Sequence, residues 1–470
     1  MELNDTICAP ATVPGTGAIT VIRISGPDAL SVTDRVFRSG RGRVADAEGY
    51  SILYGSVSDT EVSGEVNVLD DVLVSVFRAP HSYTGEDAAE ISCHASPYVS
   101  SRLLALLCAA GARMAEPGEF TRRAFLNGKM DLAQAEAVAD VIASSSAASH
   151  RLAVNQLKGG FSRELADIRD ALVEMTSLLE LELDFSEEEV EFAERGRLQS
   201  LVRSASGKIR SLADSFHLGN AIKNGVPVSI VGDPNVGKST LLNALVGDER
   251  ALVSELAGTT RDSIEETVVL DGIAFRFIDT AGLRESDQTI EKMGIERTLK
   301  MLSGADIVLA VVDATQSPAE AERSLRFLSG LIDLGWQRCL VLVNKVDCNK
   351  NVNEINNIVS STIPEAVCLE ISARSRLGLD ALQQALVQSV QGRIPLSGEA
   401  ILVTNARHHE ALRQTADALD AALKGLDAGT PSDLVAQDLR TALHHLGTIT
   451  GAITTDEVLG QIFSRFCIGK

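Results

Sequence analysis

Aromatic side chains are scarce: one Trp, four Tyr and 13 Phe make up 4% of the 470 residues. Cores with so few large rings must be filled by Leu, Val, Ile and Ala, which favours helical and α/β layers over an all-β sandwich. Basic charge is short as well. The 43 Lys and Arg face 64 Asp and Glu, a formal charge of −21, so the chain repels a phosphate backbone at long range and non-specific nucleic-acid binding is not expected. A structured RNA could dock on a local basic patch, Arg41/Arg43 or Arg122/Arg123, although solvated surface charge is the plainer account of both. The seven cysteines, at 8, 93, 108, 339, 348, 368 and 467, are odd in number and form no Cys-x-x-Cys pair. That argues for reduced thiols and against a disulfide framework or zinc site. No apolar run approaches the ~18 residues that cross a bilayer, and the opening Met-Glu-Leu-Asn-Asp lacks the basic-then-apolar layout of a signal peptide. A soluble, cytoplasmic protein with no membrane partner is expected.

What is present is length and changing periodicity. A chain of 470 residues predicts about three domains. Up to about residue 120, short apolar runs such as Ala18–Ser25, Asp71–Phe77 and Ala89–Cys93 alternate with turn residues, with an occasional helix such as Ser101–Ala110, and predict an α+β domain over 1–127. Helical spacing then takes over to about 222; Leu165, Ile168, Leu172, Met175, Leu179 and Leu183 fall on one stripe. From Val226, strand-like runs alternate with helical ones: Val228–Val231, Ala274–Ile278, Ile307–Val312, Leu340–Val343 and Val367–Ile371. This is a βαβ series with a mainly parallel sheet, placed at 223–388. Helical spacing returns over 389–470. The simplest organisation is an α/β domain inserted into an all-helical one.

The chemistry-bearing motifs lie in that inserted segment. Gly232-Asp-Pro-Asn-Val-Gly-Lys-Ser239 follows a strand and opens a helix, the context a phosphate-binding loop requires. Its glycines let backbone N–H groups close on phosphates, Lys238 reaches the β- and γ-phosphates and Ser239 offers a hydroxyl to Mg²⁺. Asp279-Thr-Ala-Gly282 follows another strand, where a carboxylate can hold the metal through water. Asn344-Lys-Val-Asp347 ends a third, and Asp347 is read as a buried acceptor for two N–H donors of guanine, a pair that adenine lacks. Ser372-Ala-Arg374 fits the loop whose backbone N–H reads the guanine oxygen. Four motifs in this order resemble the Ras-like GTPase superfamily, which implies GTP binding and hydrolysis. Leu283 stands where that superfamily carries a water-orienting Gln, and no arginine finger is evident, so something else must do that work; one alternative is a cation near the phosphates with a carboxylate of the second switch, for which Glu285, Asp287 and Glu291 are candidates.

Other signals read as structure. His408-His409 and His444-His445 are adjacent on helices, about 100° apart, and cannot chelate one metal. Glu187–Glu191 reads as a solvated acidic segment, and the ending Cys467-Ile-Gly-Lys470 matches a prenylation box poorly.

Further segments resemble the bacterial tRNA-modification GTPase family MnmE, also called TrmE: Asn4-Asp-Thr-Ile7, Arg23-Ile-Ser-Gly26, Thr84-Gly-Glu-Asp87, Pro117-Gly-Glu-Phe120, Ala124–Lys129, Leu256–Asp262 and Phe466–Lys470. The resemblance implies a homodimer built on an N-terminal domain that binds 5-formyl- or 5,10-methylene-tetrahydrofolate. It also implies a helical domain carrying the GTPase, and a flavin-dependent MnmG-type partner in a heterotetramer. Together they install an aminomethyl or carboxymethylaminomethyl group on the wobble uridine of tRNA. Carried over to this sequence, the folate positions are Arg23, Glu90, Lys129 and Lys470. The GTP contacts are Asn235, Val236, Gly237, Lys238, Ser239 and Thr240, then Ser254, Glu255, Leu256, Ala257, Gly258, Thr259 and Thr260. They continue with Asp279, Thr280, Ala281 and Gly282, then Asn344, Lys345 and Asp347, then Ser372, Ala373 and Arg374. Mg²⁺ falls on Ser239 and Thr260, and K⁺ on Asn235, Ser254, Leu256 and Thr259. Lys238 and Glu291 are expected to serve hydrolysis, Glu291 as the water-positioning carboxylate, and Cys467 to serve the modification chemistry. A ribosome-assembly GTPase without modification chemistry is the rival reading; it would have no use for the first ~130 residues or the cysteine tail.

Overall fold

The computed structural model describes residues 4–59, 67–184, 195–248, 266–278, 302, 304–332, 337–348, 351–391, 401–464, 466 and 469. The chain forms two compact units, Met1–Ala139 with Ser162–Arg169 and Leu443–Lys470, and Asp140–Phe161 with Asp170–Ala442. No helix among the described residues is long and apolar enough to cross a membrane.

The first unit is built on β1 (Ile7–Pro10), β2 (Ile19–Ser25), α1 (Ala29–Val36), β3 (Phe37–Arg38), β4 (Ser51–Asp59), β5 (Asn67–Phe77), β6 (Ala88–His94), α2 (Pro97–Ala109), β7 (Arg113–Met114) and α3 (Glu119–Leu126). The strands form one sheet in the order β3-β4-β5-β6-β2-β1-β7, antiparallel except for the β1–β7 pair. Strict alternation sends Val72, Val74 and Val76 of β5 to one face, where they join Ile22, Ile24, Ile91, Leu103 and Leu107 in the core beneath α1 and α2. The opposite parity leaves Ile52, Tyr54 and Leu73 exposed. The C-terminal end of the chain belongs to this unit. Leu459, Phe463 and Phe466 pack on Leu132 and Ala135, and a Cβ at Gly118 would lie 2.5 Å from the Phe463 carbonyl oxygen.

The helices that follow are α4 (Leu132–Ala143), α5 (Ala147–Leu157), α6 (Gly160–Asp184), α7 (Arg195–Asp214) and α8 (Phe216–Asn224). In α6 the stripe runs as its spacing predicts: Leu165, Ile168, Leu172, Met175 and Leu179 are buried. The inserted α/β part comprises β8 (Val226–Val231), α9 (Lys238–Asp248), β9 (Glu266–Leu270), β10 (Ile273–Phe277), β11 (Ile307–Asp313), α10 (Pro318–Ser329), β12 (Arg338–Asn344), α11 (Val352–Thr362), β13 (Val367–Glu370) and α12 (Leu379–Gln391). Its sheet order is β13-β12-β11-β8-β10-β9, parallel except for β9. All seven residues of β11 are buried, because helices cover both faces and neither parity meets water. β9 escaped the sequence reading; its Glu266-Thr-Val-Val-Leu270 is short and pairs locally through an Asp271-Gly272 turn with both residues at positive φ.

The chain ends in α13 (Ala406–Ala428), α14 (Ser432–Thr450) and α15 (Asp456–Phe463). Helix α13 lies along α7, more than 200 residues earlier: Gln199 donates to Asp427 at 3.0 Å, Ser206 to Asp420 at 3.3 Å, and Arg210 pairs with Asp420. Helical elements on either side of the α/β part therefore pack on one another.

Candidate functional site

Every described GTPase motif lies in a loop following the C-terminal end of a parallel strand, and the phosphate loop follows β8, whose neighbours β10 and β11 lie on opposite sides. That is the topological switch point where such sheets bind ligands. Gly232 (φ 148°) leaves no room for a side chain, since a Cβ would run into the Val311 carbonyl; at Gly237 (φ 102°) it would run into Asn344 Nδ2. Backbone, not side chain, thus lines the cradle, as close approach to phosphate demands. Lys238 opens α9, and its Nζ donates to the carbonyls of Gly232 (2.9 Å) and Asp233 (2.7 Å). Burial lowers its pKa, opposed by the nearby Asp233 carboxylate. The ammonium is thus held on its own loop, at the place where phosphate oxygens can replace two carbonyls. Ser239 is half-buried and Thr240 exposed on the first turn of α9.

The base-reading loop grips the phosphate loop. Asn344 is 2% exposed; its Nδ2 donates to the Val236 carbonyl at 2.8 Å and its Oδ1 accepts from Ala373 N–H at 3.0 Å. Lys345, at φ 66°, donates to the Asn235 carbonyl at 2.9 Å and to Asp313 Oδ2 at 2.5 Å. Asp347 sits in a single 3₁₀ turn, Val346–Cys348, and is exposed. This corrects the sequence reading of a buried acceptor: the strand ends at Asn344, and the last motif residue stands on a turn that reaches solvent. Ser372 is buried and bridges to Leu377, while Arg374 is exposed. Asp313 was missed, although an Asp at the end of an apolar strand, followed by Ala-Thr, is the signal that marks it.

Several predicted positions lie outside the described residues: Ser254, Glu255, Leu256, Ala257, Gly258, Thr259, Thr260, Asp279, Thr280, Ala281, Gly282, Leu283, Glu285, Asp287, Glu291, Cys467 and Lys470. Among the described residues no three His, Cys, Asp or Glu side chains gather as metal ligands, His408 and the other paired histidines included. Burial pushes the thiols of Cys8 and Cys339 up to about 12 and that of Cys93 up to about 11, where burial is joined by the Asp70 charge; these are packing groups.

In the first unit, Arg23 on β2 and Glu90 on β6 are registered partners, joined Nε to Oε1 at 2.9 Å. The guanidinium lies over Tyr83 (5.1 Å to the ring centroid) and near Phe120 (5.6 Å). Lys129 Nζ donates to the Pro80 carbonyl at 2.8 Å and Asn127 to the Thr84 carbonyl at 2.7 Å. Two predicted folate positions, Arg23 and Lys129, therefore meet the 80–84 segment, and Glu90 is paired to the first of them. The Arg122/Arg123 patch is corrected: Arg123 is fully buried and ion-paired to Asp5 (2.5 Å), Glu119 (3.0 Å) and Glu86 (3.2 Å), because α3 turns that side of itself into the unit. Arg113 joins Asp5 and Glu119, and Ser25 donates to Glu86 at 2.7 Å. At the other end of the chain, Gly469 (φ 99°) is buried so closely on Pro10 that a Cβ would overlap its carbonyl.

Two family models match: the MnmE helical domain over residues 132–467 and the N-terminus of the GTP-binding protein TrmE over 6–129. A tRNA modification GTPase MnmE of Bacteroides fragilis is 50% identical over 99% of this chain and 100% of its own length. Those of Bacteroides thetaiotaomicron and Parabacteroides distasonis are 48% and 47% identical, each over 99% of this chain and 100% of their own. With a phosphate loop at the switch point and this likeness over the full length of its relatives, the chain belongs to the tRNA modification GTPase MnmE family and is a GTP hydrolase acting in tRNA modification.

Proposed function

We propose that the chain acts as a homodimer whose K⁺-activated GTP hydrolysis drives the addition of aminomethyl or carboxymethylaminomethyl groups to C5 of the tRNA wobble uridine. A flavin-dependent MnmG-type partner completes a heterotetramer, in the cytoplasm. The observation that carries this reading is the N-terminal arrangement. An Arg23 paired to Glu90 and laid over Tyr83 and Phe120, with Lys129 on the Pro80 carbonyl of the same segment as Tyr83, suits a planar ligand with a polar ring and an anionic tail, such as 5-formyl- or 5,10-methylene-tetrahydrofolate. A switch working through its nucleotide alone has no use for it. Lys470 is the fourth folate position, next in sequence to Gly469 in the same unit. The domain limits are 1–127, 128–222, 223–388 and 389–470, and the α7–α13 pairing supports an insertion. Dimerisation is assigned to the N-terminal sheet, whose exposed Ile52, Tyr54 and Leu73 lie on one face.

In the GTPase, Lys238 exchanges its two carbonyls for phosphate oxygens, Asp347 accepts guanine N–H groups, and Glu291 orients the attacking water. Hydroxyl and carbonyl oxygens fit hard cations. Ser239 and Thr260 would hold Mg²⁺, and Asn235, Ser254, Leu256 and Thr259 would hold K⁺, in keeping with Leu283 and the missing arginine finger. Bound there, the two cations would supply neutralisation of charge developing on the phosphates; an arginine finger contributes 10³–10⁵ in rate, so a K⁺ standing in for it would supply roughly 4–7 kcal/mol.

The test is complementation of a deletion strain with the wild type or Cys467→Ser, with nucleoside analysis of its tRNA, beside GTPase rates in K⁺ and Na⁺. Wild type should restore the modified uridine and hydrolyse GTP far faster in K⁺. Cys467→Ser should keep the GTPase and lose modification. Equal rates in the two salts would remove the cation role, and modification by a stably expressed Cys467→Ser would return the chemistry to the partner.

A further inference from the structure

Asp313 ends β11 and belongs to none of the nucleotide motifs, yet both its carboxylate oxygens are committed. Oδ1 accepts from Thr315 N–H at 2.8 Å and from Thr315 Oγ1 at 2.7 Å, an ordinary turn after a strand. Oδ2 serves a different end: it takes Lys345 Nζ at 2.5 Å, and the same ammonium donates to the Asn235 carbonyl at 2.9 Å. The Asp313 side chain is 10% exposed and that of Lys345 36%. Burial would raise the Asp313 carboxyl, but the bonds from Lys345 and Thr315 outweigh it and hold the group below the usual carboxylate range, so it is an anion at neutral pH.

Asn344, one residue before Lys345, grips the next carbonyl, Val236. Consecutive carbonyls of the phosphate loop are thus held by consecutive side chains of the base-reading loop. Asn235 and Lys345 are both left-handed, at φ 62° and 66°, a conformation that Asn tolerates but that Lys keeps only with support from its surroundings. Asp313 Oδ2 is thus tied to the phosphate loop through Lys345, while Oδ1 serves the turn at Thr315.

We propose that Asp313 is a positioning residue for GTP binding and hydrolysis: through Lys345 it clamps the phosphate loop to the base-reading loop. Guanine seated on one loop then fixes the other where the phosphates need it. The clamp is distinct from the turn, because Thr315 uses one oxygen and Lys345 the other.

The experiment uses the full-length protein with Asp313→Ala, Asp313→Asn as the isosteric variant, Lys345→Met, the two doubles and Thr315→Val. Affinities for fluorescent GTP and GDP analogues and single-turnover hydrolysis are measured, with nucleotide-free melting as the control for folding. Hydrogen bonds between charged groups correspond to about 10- to 100-fold in affinity, and Asp313→Ala should lose that much for both nucleotides. Each Asp313 substitution should have no further effect in the Lys345→Met background, and Thr315→Val should stay within about threefold of wild type. Wild-type affinity in both folded Asp313 variants overturns the proposal. So does a loss that persists in the Lys345→Met background, or a Thr315→Val as damaging as Asp313→Ala, which would reduce Asp313 to a turn residue.

Discussion

The nucleotide loops and the N-terminal ion cluster spend charge in opposite ways. Around the phosphate loop, Lys238 rests on backbone carbonyls and Asp347 meets solvent. These groups are held weakly enough to be taken over by a ligand. In the first unit, Arg123 is sealed inside and shared among Asp5, Glu86 and Glu119. A sealed cation has nothing left for a ligand, so charge there specifies a structure. Four of the segments resembling family signatures meet in this cluster, supplying Asp5, Ser25, Glu86 and Glu119. Only Arg23, on the same strand as Ser25, points its pair at an aromatic floor. Charged motif-like residues therefore divide into those whose charge is used up inside the unit and those that keep it accessible.

The sharpest way to break this division is Arg123→Ala, which removes the buried cation from Glu86 and leaves Asp5 and Glu119 to Arg113 alone. A loss of about 3–5 kcal/mol is expected in the first unit. Hydrogen exchange over residues 4–130 should show it, while the GTPase rate stays near normal; full protection in the variant would make the cluster ornamental. Asp347→Asn tests the other side. The fold should not respond, GTP should weaken about 10- to 100-fold, and xanthosine triphosphate, which offers an acceptor in place of the exocyclic donor, should gain. Unchanged GTP binding would mean that the exposed carboxylate does not read the base. The smallest effect is with acid. Burial alone would raise the carboxyls of Asp5 and Glu119, but bonds from Arg113 and Arg123 outweigh it and both lie below their usual values. Their stabilisation is fully present above the unfolded carboxylate range of about 4 and is lost only as pH falls through the lower folded values. Protection of residues 4–130 should hold from neutrality to about pH 4 and fall below it; a loss between pH 6 and 5 would contradict the pairing.

Much of the α/β part was legible because its central strands β8, β11 and β12 are buried on both faces and read as largely apolar runs, β8 and β12 each ending at a motif. Five predicted strands appear within a residue or two, whereas β9, short and amphipathic, left no distinct run. In the N-terminal unit, the sequence-level signals for Arg123 and Arg41 were alike, two basic residues near small ones. Their fates differ because α3 buries one side of itself.

By itself, then, the order of residues determined the phosphate loop, the base-reading motif and the parallel sheet between them, since these depend on local spacing and on which residue ends which strand. Only the tertiary structure decided that Asp313 reaches Lys345, that Arg123 is an internal strut, and that Gly469 lies on Pro10. Asp313 and Lys345 lie 32 residues apart, Asp5 and Arg123 118, and Pro10 and Gly469 459, and nothing in the spacing along a chain records which distant groups will be brought within reach of one another.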